Sequence, residues 1–107
     1  MKTYKVIWSE QAKDDLRAIY NFIFDQSTQG ADTVFDTVFD TLLDLGDSLS
    51  TLPQRFPIEV LLTDSSYEYR FLPKWSYKII YLILEEKDTV VIARIFNTKQ
   101  DPSRLLR

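Results

Sequence analysis

Residues 77–102, YKIIYLILEEKDTVVIARIFNTKQDP, restrict the possible folds more than any other stretch of the chain. Tyr77 to Leu84 is rich in Ile, Leu and Tyr, and Thr89 to Phe96 in Val and Ile, as strand interiors prefer. Glu85 to Asp88 between them is short and fully charged, which suits a hairpin loop. Side chains alternate across a strand, so Tyr77, Ile79, Tyr81 and Ile83 share one face and Lys78, Ile80, Leu82 and Leu84 the other. On the second strand the same alternation sets Val90, Ile92, Arg94 and Phe96 against Thr89, Val91, Ala93 and Ile95. Both faces of the hairpin are largely apolar. A sheet with one wet face shows clean apolar/polar alternation instead. Each face of this hairpin therefore needs a cover.

The remaining chain supplies covers as follows. Thr3 to Trp8 reads as a first strand, and Ser9 as the N-cap of a helix that begins with the dipole-compatible Glu10. Ala12, Leu16, Ile19, Tyr20 and Ile23 recur at helical spacing, which predicts a helix from about Glu10 to about Asp25. Gln26 to Gly30 is the break, and a second helix is expected from about Ala31 to about Ser50. That helix carries a short repeat: Asp-Thr-Val-Phe at 32–35 and 36–39, then Asp-Thr-Leu-Leu at 40–43. The Val and Phe columns make a broad apolar stripe. Asp32, Asp36, Asp40 and Asp44 make an acidic column, read here as a solvated face rather than a metal site. Gly46 is the expected point of early fraying. Pro53 ends the helix, and Ile58 to Leu62 is expected to be a short extended segment. Tyr67 to Leu72 reads as another strand, with Pro73 to Ser76 as the turn into the hairpin. After Asn97 the tail is polar and basic until Leu105-Leu106. The order predicts one α+β domain spanning 1–107. It has an N-terminal strand, a two-helix hairpin and a three-stranded antiparallel meander, all in one sheet with the helices on one face. Helices on one face leave the other apolar, and such a face usually marks a partner site. The plainer alternative is that twist and the C-terminal tail cover it.

Composition narrows the chemistry. The chain has 107 residues, no cysteine and no histidine. Disulfides and thiolate chemistry are excluded, and so are the commonest general base and the commonest transition-metal ligand. The start, MKTYKVIW, lacks the features of a signal peptide, and no apolar run approaches bilayer length. A cytoplasmic protein with no membrane partner is expected. Net charge is −3, unevenly spread: residues 18–54 hold six Asp and no Lys or Arg, whereas 55–107 hold nine basic and seven acidic residues. A nucleic-acid footprint needs clustered positive charge, and this one is thin.

At this point the sequence resembles the RelE/ParE superfamily of toxins from type II toxin–antitoxin modules. The resemblance rests on Val6-Ile7-Trp8-Ser9 with Ala12, Leu16 and Ile19-Tyr20, and on Leu52-Pro53. It continues through Tyr69-Arg70, Tyr77 to Tyr81, Ile92 to Asn97, and Gln100-Asp101-Pro102. It implies a toxin that arrests growth and is held inactive in a hetero-oligomer with a cognate antitoxin. The antitoxin's C-terminal segment would wrap the toxin and supply the missing cover. RelE-like members cleave messenger RNA in the ribosome; ParE-like members share the fold but poison DNA gyrase. Here Asn97 stands where many relatives carry His and Lys99 where many carry Arg, and the segment between Leu72 and Tyr77 offers Lys74 but no Arg. These departures, with the negative net charge, favour the ParE-like branch, acting by binding with no metal or cofactor.

For that reading the expected target-binding residues are Arg70, Trp75, Arg94, Phe96, Asn97, Lys99 and Arg104. The expected antitoxin-binding residues are Tyr77, Tyr81, Ile92, Phe96, Leu105 and Leu106. The alternative is a RelE-like endoribonuclease with ribosome and mRNA as partners. RNA cleavage at the 2′-hydroxyl needs a base, an acid and positive charge, for which Lys78, Tyr81, Arg94 and Lys99 are the candidates. A third reading is a relative that only binds its antitoxin. For each residue there is also a structural role to weigh. Arg70 and Arg94 suit ion pairs with Glu68 or the Asp-rich helix, Tyr77 and Tyr81 suit the core, and Lys78 and Lys99 suit solvent.

Overall fold

The structure, a computed structural model, describes residues 2–26, 31–62 and 67–99. Its elements are β1 (Lys5–Trp8), α1 (Glu10–Gln26), α2 (Ala31–Asp47), β2 (Tyr69–Lys74), β3 (Tyr77–Leu84) and β4 (Thr89–Asn97). Short 3-10 turns occupy Ser48–Ser50, Pro53–Arg55, Val60–Leu62 and Glu85–Lys87. The predicted hairpin is β3–β4, and its charged loop is a 3-10 turn closed by Asp88 at φ 49°. One sheet runs β1-β4-β3-β2, antiparallel except that β1 lies parallel to β4.

Ser9 sets the join between strand and helix. Its N–H donates to the Ile92 carbonyl at 2.9 Å and its hydroxyl to the Ala93 carbonyl at 2.8 Å. The same hydroxyl accepts the Ala12 N–H at 3.1 Å, the expected N-cap bond. One serine therefore ends β1 and starts α1. The helices cover one sheet face, where Ala12, Leu16, Ile19 and Leu42 are buried with Leu72, Ile79, Tyr81, Val90, Ile92 and Ile95. Full burial of a side chain such as Leu42 is worth about 2–3 kcal/mol.

Three expectations need correction. The first concerns faces. Ile80 opposes Arg94 while Tyr81 opposes Ile92, so Ala93 is an extra residue in β4, a β-bulge. It shifts the alternation: Val90 and Ile92 share the helix-covered face with Ile95, not with Arg94 and Phe96. The second concerns Gly46, the last residue but one of α2, which ends at Asp47 and passes into a 3-10 turn; the glycine also has a packing role. The indole of Trp8 packs against it so closely that an added Cβ would collide with Trp8 Cζ2 and lie 2.9 Å from Ile92 Cδ1. Glycine is used there because the helix backbone must approach a large ring.

The third correction concerns the second sheet face and residues 57–62. The Pro57 carbonyl accepts the Phe71 N–H at 3.0 Å, and the Glu59 N–H donates to the Tyr69 carbonyl at 2.8 Å. Only 57–59 is extended, bridging to β2 through Ile58 and Arg70. Val60–Leu62 is a 3-10 turn because Glu59 caps it, its side chain accepting the Leu61 N–H at 3.1 Å and its carbonyl the Leu62 N–H at 3.2 Å. The turn sets Leu62 with Tyr69 and Phe71 against buried Ile80 and Phe96. The chain thus supplies part of the second cover itself. Asp40 and Asp44 of the acidic column are exposed, and the side chains of Asp32 and Asp36 lie outside the described residues. β2 also runs through Pro73 and Lys74, so the turn into β3 is only Trp75 and Ser76.

Candidate functional site

The four residues weighed for RNA chemistry are held by four different environments. Tyr81 points into the core beneath the helices, where its hydroxyl donates to the Pro53 carbonyl. Burial pushes its pKa up to about 12, against a smaller opposing pull from Arg70 and Arg55. Lys78 lies on the opposite sheet face. Its Nζ meets Glu59 Oε2 at 2.9 Å and sits 4.4 Å from the Phe71 ring centroid. Glu59 is fully buried, so Lys78 neutralises a carboxylate that would otherwise be costly to bury. Arg94 reaches round the sheet edge to α1, with Nε and Nη2 at 2.9 and 3.2 Å from the Asp15 carboxylate. That contact raises the Arg94 pKa and keeps the guanidinium charged, against a smaller opposing effect of burial. Lys99 follows the end of β4, with its N–H donating to Asn97 Oδ1 at 2.9 Å.

The other candidates divide between core and surface. Ile92 and Phe96 are buried, on the helix-covered and second faces respectively. Tyr81 and Ile92, expected as antitoxin contacts, are both fully enclosed, and a partner would have to open the core to touch them. Arg70 is pinned to the preceding loop, its Nη1 donating to the Phe56 carbonyl at 2.6 Å and its Nη2 meeting Glu68 at 3.3 Å. Trp75 is 56% exposed at the tip of the β2–β3 turn. Arg104, Leu105 and Leu106 lie outside the described residues.

Two concavities among the described residues bear on the site. A cleft of about 270 Å³ lies between α1 and the ends of β3 and β4, lined by Asp15, Ile19, Tyr77, Asn97 and Lys99. It brings together Tyr77, Asn97 and Lys99 from the expected set. Burial raises the Tyr77 pKa. A larger groove, about 670 Å³, lies between the helices, where Trp8, Leu16, Phe39 and Leu43 line it with Lys13 and Arg17. Sequence reasoning missed this groove. Its only signal was Gly46 on a helix above a strand-end tryptophan. Among the described residues no cluster of three or more acidic side chains is placed to hold a metal ion, and no helix is long and apolar enough to cross a membrane.

A strand, a helical hairpin and a meander that closes back on the first strand define the RelE/ParE type of toxin fold. The chain is similar in fold to the solved toxin–antitoxin complex RelBE2 from Mycobacterium tuberculosis. That chain is 22% identical, with a TM-score of 0.54 and coverage of 91% of this chain and 93% of its own. The model of the family described as "ParE toxin of type II toxin-antitoxin system, parDE" matches residues 6–102. The chain belongs to this ParE toxin family. No curated protein matches it.

Proposed function

We propose that this chain is a cytoplasmic toxin, neutralised by a cognate antitoxin, that arrests growth by binding DNA gyrase and not by cleaving RNA. One observation carries the choice of mechanism. Lys78, Tyr81 and Arg94 are bonded to Glu59, Pro53 and Asp15, and the sheet itself stands between Tyr81 and Lys78. General acid–base chemistry needs groups that converge on one scissile bond, with pKa values near the working pH. A tyrosine raised to about 12 in the core is poorly suited to that role. A binding inhibitor needs only a shaped surface. The antitoxin reading is supported by family membership and by exposed apolar side chains at Ile58, Val60 and Leu61 along the sheet edge. A partner strand or amphipathic helix would cover them.

The test is direct. Purified protein is added to a gyrase supercoiling reaction and, separately, to a cell-free translation reaction. The expected result is loss of supercoiling with translation intact. Messenger RNA cut on the ribosome, with supercoiling untouched, would reverse the assignment to the ribonuclease.

A further inference from the structure

Trp75 adopts φ 53°, in the left-handed region. A bulky residue is disfavoured there, and glycine is the natural occupant of such a position. The indole is not placed there to fill a core, because the residue is more exposed than buried. The tip is nonetheless held firmly. Thr98 donates to the Ser76 carbonyl twice, from its N–H at 2.7 Å and from its hydroxyl at 2.9 Å. Lys74 Nζ lies 5.1 Å from the Trp75 ring centroid. Beside this tip opens the cleft lined by Tyr77, Asn97 and Lys99.

We propose that the β2–β3 tip, with Trp75 as anchor and Lys74 and Lys99 as flanking cations, is the surface that grips the toxin's protein target. The inference rests on the reading that the chain acts by binding. A strained residue kept on the surface points to function, since packing gives no return for the strain. Tryptophan is the residue type most enriched among interface hot spots, and a rigid backbone lowers the cost of ordering it on contact. The chemistry specifies the partner: an apolar socket to receive the indole, bordered by carboxylates opposite Lys74 and Lys99. A protein fits this better than nucleic acid. The chain carries net charge −3, and two lysines would neutralise too few phosphates to hold a strand at physiological salt.

Trp75→Gly tests the proposal, because glycine keeps the turn and removes only the indole. The variant, together with Lys74→Glu and Lys99→Glu, is assayed for melting temperature, inhibition of purified gyrase and growth arrest on induction. Expected for Trp75→Gly is an unchanged or higher melting temperature, with inhibition and arrest weakened about tenfold or more. Each charge reversal should weaken inhibition severalfold, most strongly at low salt. If the wild-type chain leaves gyrase untouched yet arrests growth, and Trp75→Gly abolishes the arrest, the gyrase reading fails and the tip assignment stands. Three results overturn the assignment: a variant as toxic as wild type, a variant that melts well below wild type, or a wild-type chain inert in both assays. Tight binding of the wild-type chain to a labelled single-stranded DNA oligonucleotide, lost in Trp75→Gly, would overturn it in favour of a nucleic-acid contact.

Discussion

Asp15 on α1 and Arg94 on β4, 79 residues apart, share two hydrogen bonds, and the same carboxylate accepts the Ile95 N–H at 2.8 Å. β1 pairs with β4 only as far as Ile92, so among the described residues Ile95 has no strand neighbour on that side. Asp15 takes the place of the missing strand. We predict that Asp15→Ala costs about 2–4 kcal/mol, since it removes an acceptor from a backbone N–H and the partner of a part-buried cation. Arg94→Ala should cost less, about 1–2 kcal/mol, because the pair is partly solvated. Toxicity should fall in step with melting temperature in both. An Arg94→Ala protein that melts like wild type but has lost toxicity would return Arg94 to the target surface.

Gly46→Ala is expected to destabilise, although alanine is the better helix former by about 1 kcal/mol. The new methyl would displace the Trp8 indole from its seat, and overpacking of this kind costs about 1–3 kcal/mol. The net loss should be at most about 2 kcal/mol, at roughly 4–8 °C per kcal/mol for a domain of this size. Thermal unfolding followed by tryptophan fluorescence reads both the stability and the displaced indole. A rise in melting temperature would mean that Trp8 can swing into the neighbouring groove at no cost.

The Glu59–Lys78 pair lends itself to a double-mutant cycle. Lys78→Met alone strands a fully buried carboxylate and should cost about 3 kcal/mol or more. Glu59→Gln with Lys78→Met removes both charges, and the double variant should be more stable than Lys78→Met alone. Urea denaturation of the four proteins gives the coupling energy. Costs that simply add would show that the pair does not hold the 57–62 segment in place.

Alkaline pH should unfold the protein through Tyr81. Its folded pKa, raised by burial to about 12, lies above the unfolded value of about 10. The stability tied to the neutral phenol is complete below pH ~10 and is lost as pH rises toward 12, by about 2–3 kcal/mol at most. Tyr77, raised in the same direction by burial, adds to the same loss. Denaturation at about pH 8 and about pH 11 should show the decline, and Tyr81→Phe should flatten it. An equally steep decline in Tyr81→Phe would assign the effect to other groups.

What could be read in the sequence was whatever depends on neighbours within a turn or along a strand. The β3–β4 hairpin followed from alternation, α1 from its 3.6-residue pattern, and the Ser9 cap from its place before Glu10. What could not be read depends on distant partners. Nothing within the N-terminal strand specifies a parallel partner, so the pairing of Lys5 with Thr89 was invisible. A bulge leaves no local mark when the extra residue is an alanine, and that single insertion moved Ile92 away from Arg94 and Phe96. Nothing beside Glu59 marks it as a buried acid, because its cation, Lys78, comes 19 residues later across β2. Trp75 was legible as an interface residue type. Its left-handed backbone was not, since no glycine or asparagine announces it.

The parallel pairing of β1 with β4 also orders the molecule in time. Lys5 to Trp8 find their strand partner in Thr89 to Ile92, so during synthesis the strand stays unpaired until nearly the whole domain has emerged. The helical hairpin that follows it shares the wait, because its apolar stripe packs on β3 and β4. Such long-range closure makes for slow folding, since the loop must be closed before its contacts can reward it. A nascent chain of this topology has no completed sheet, and the Thr98–Ser76 bonds that hold the Trp75 tip form only once β4 is in place. On the reading proposed above, the toxin is harmless while it is being made. An antitoxin already present would meet it at the moment its surface first exists.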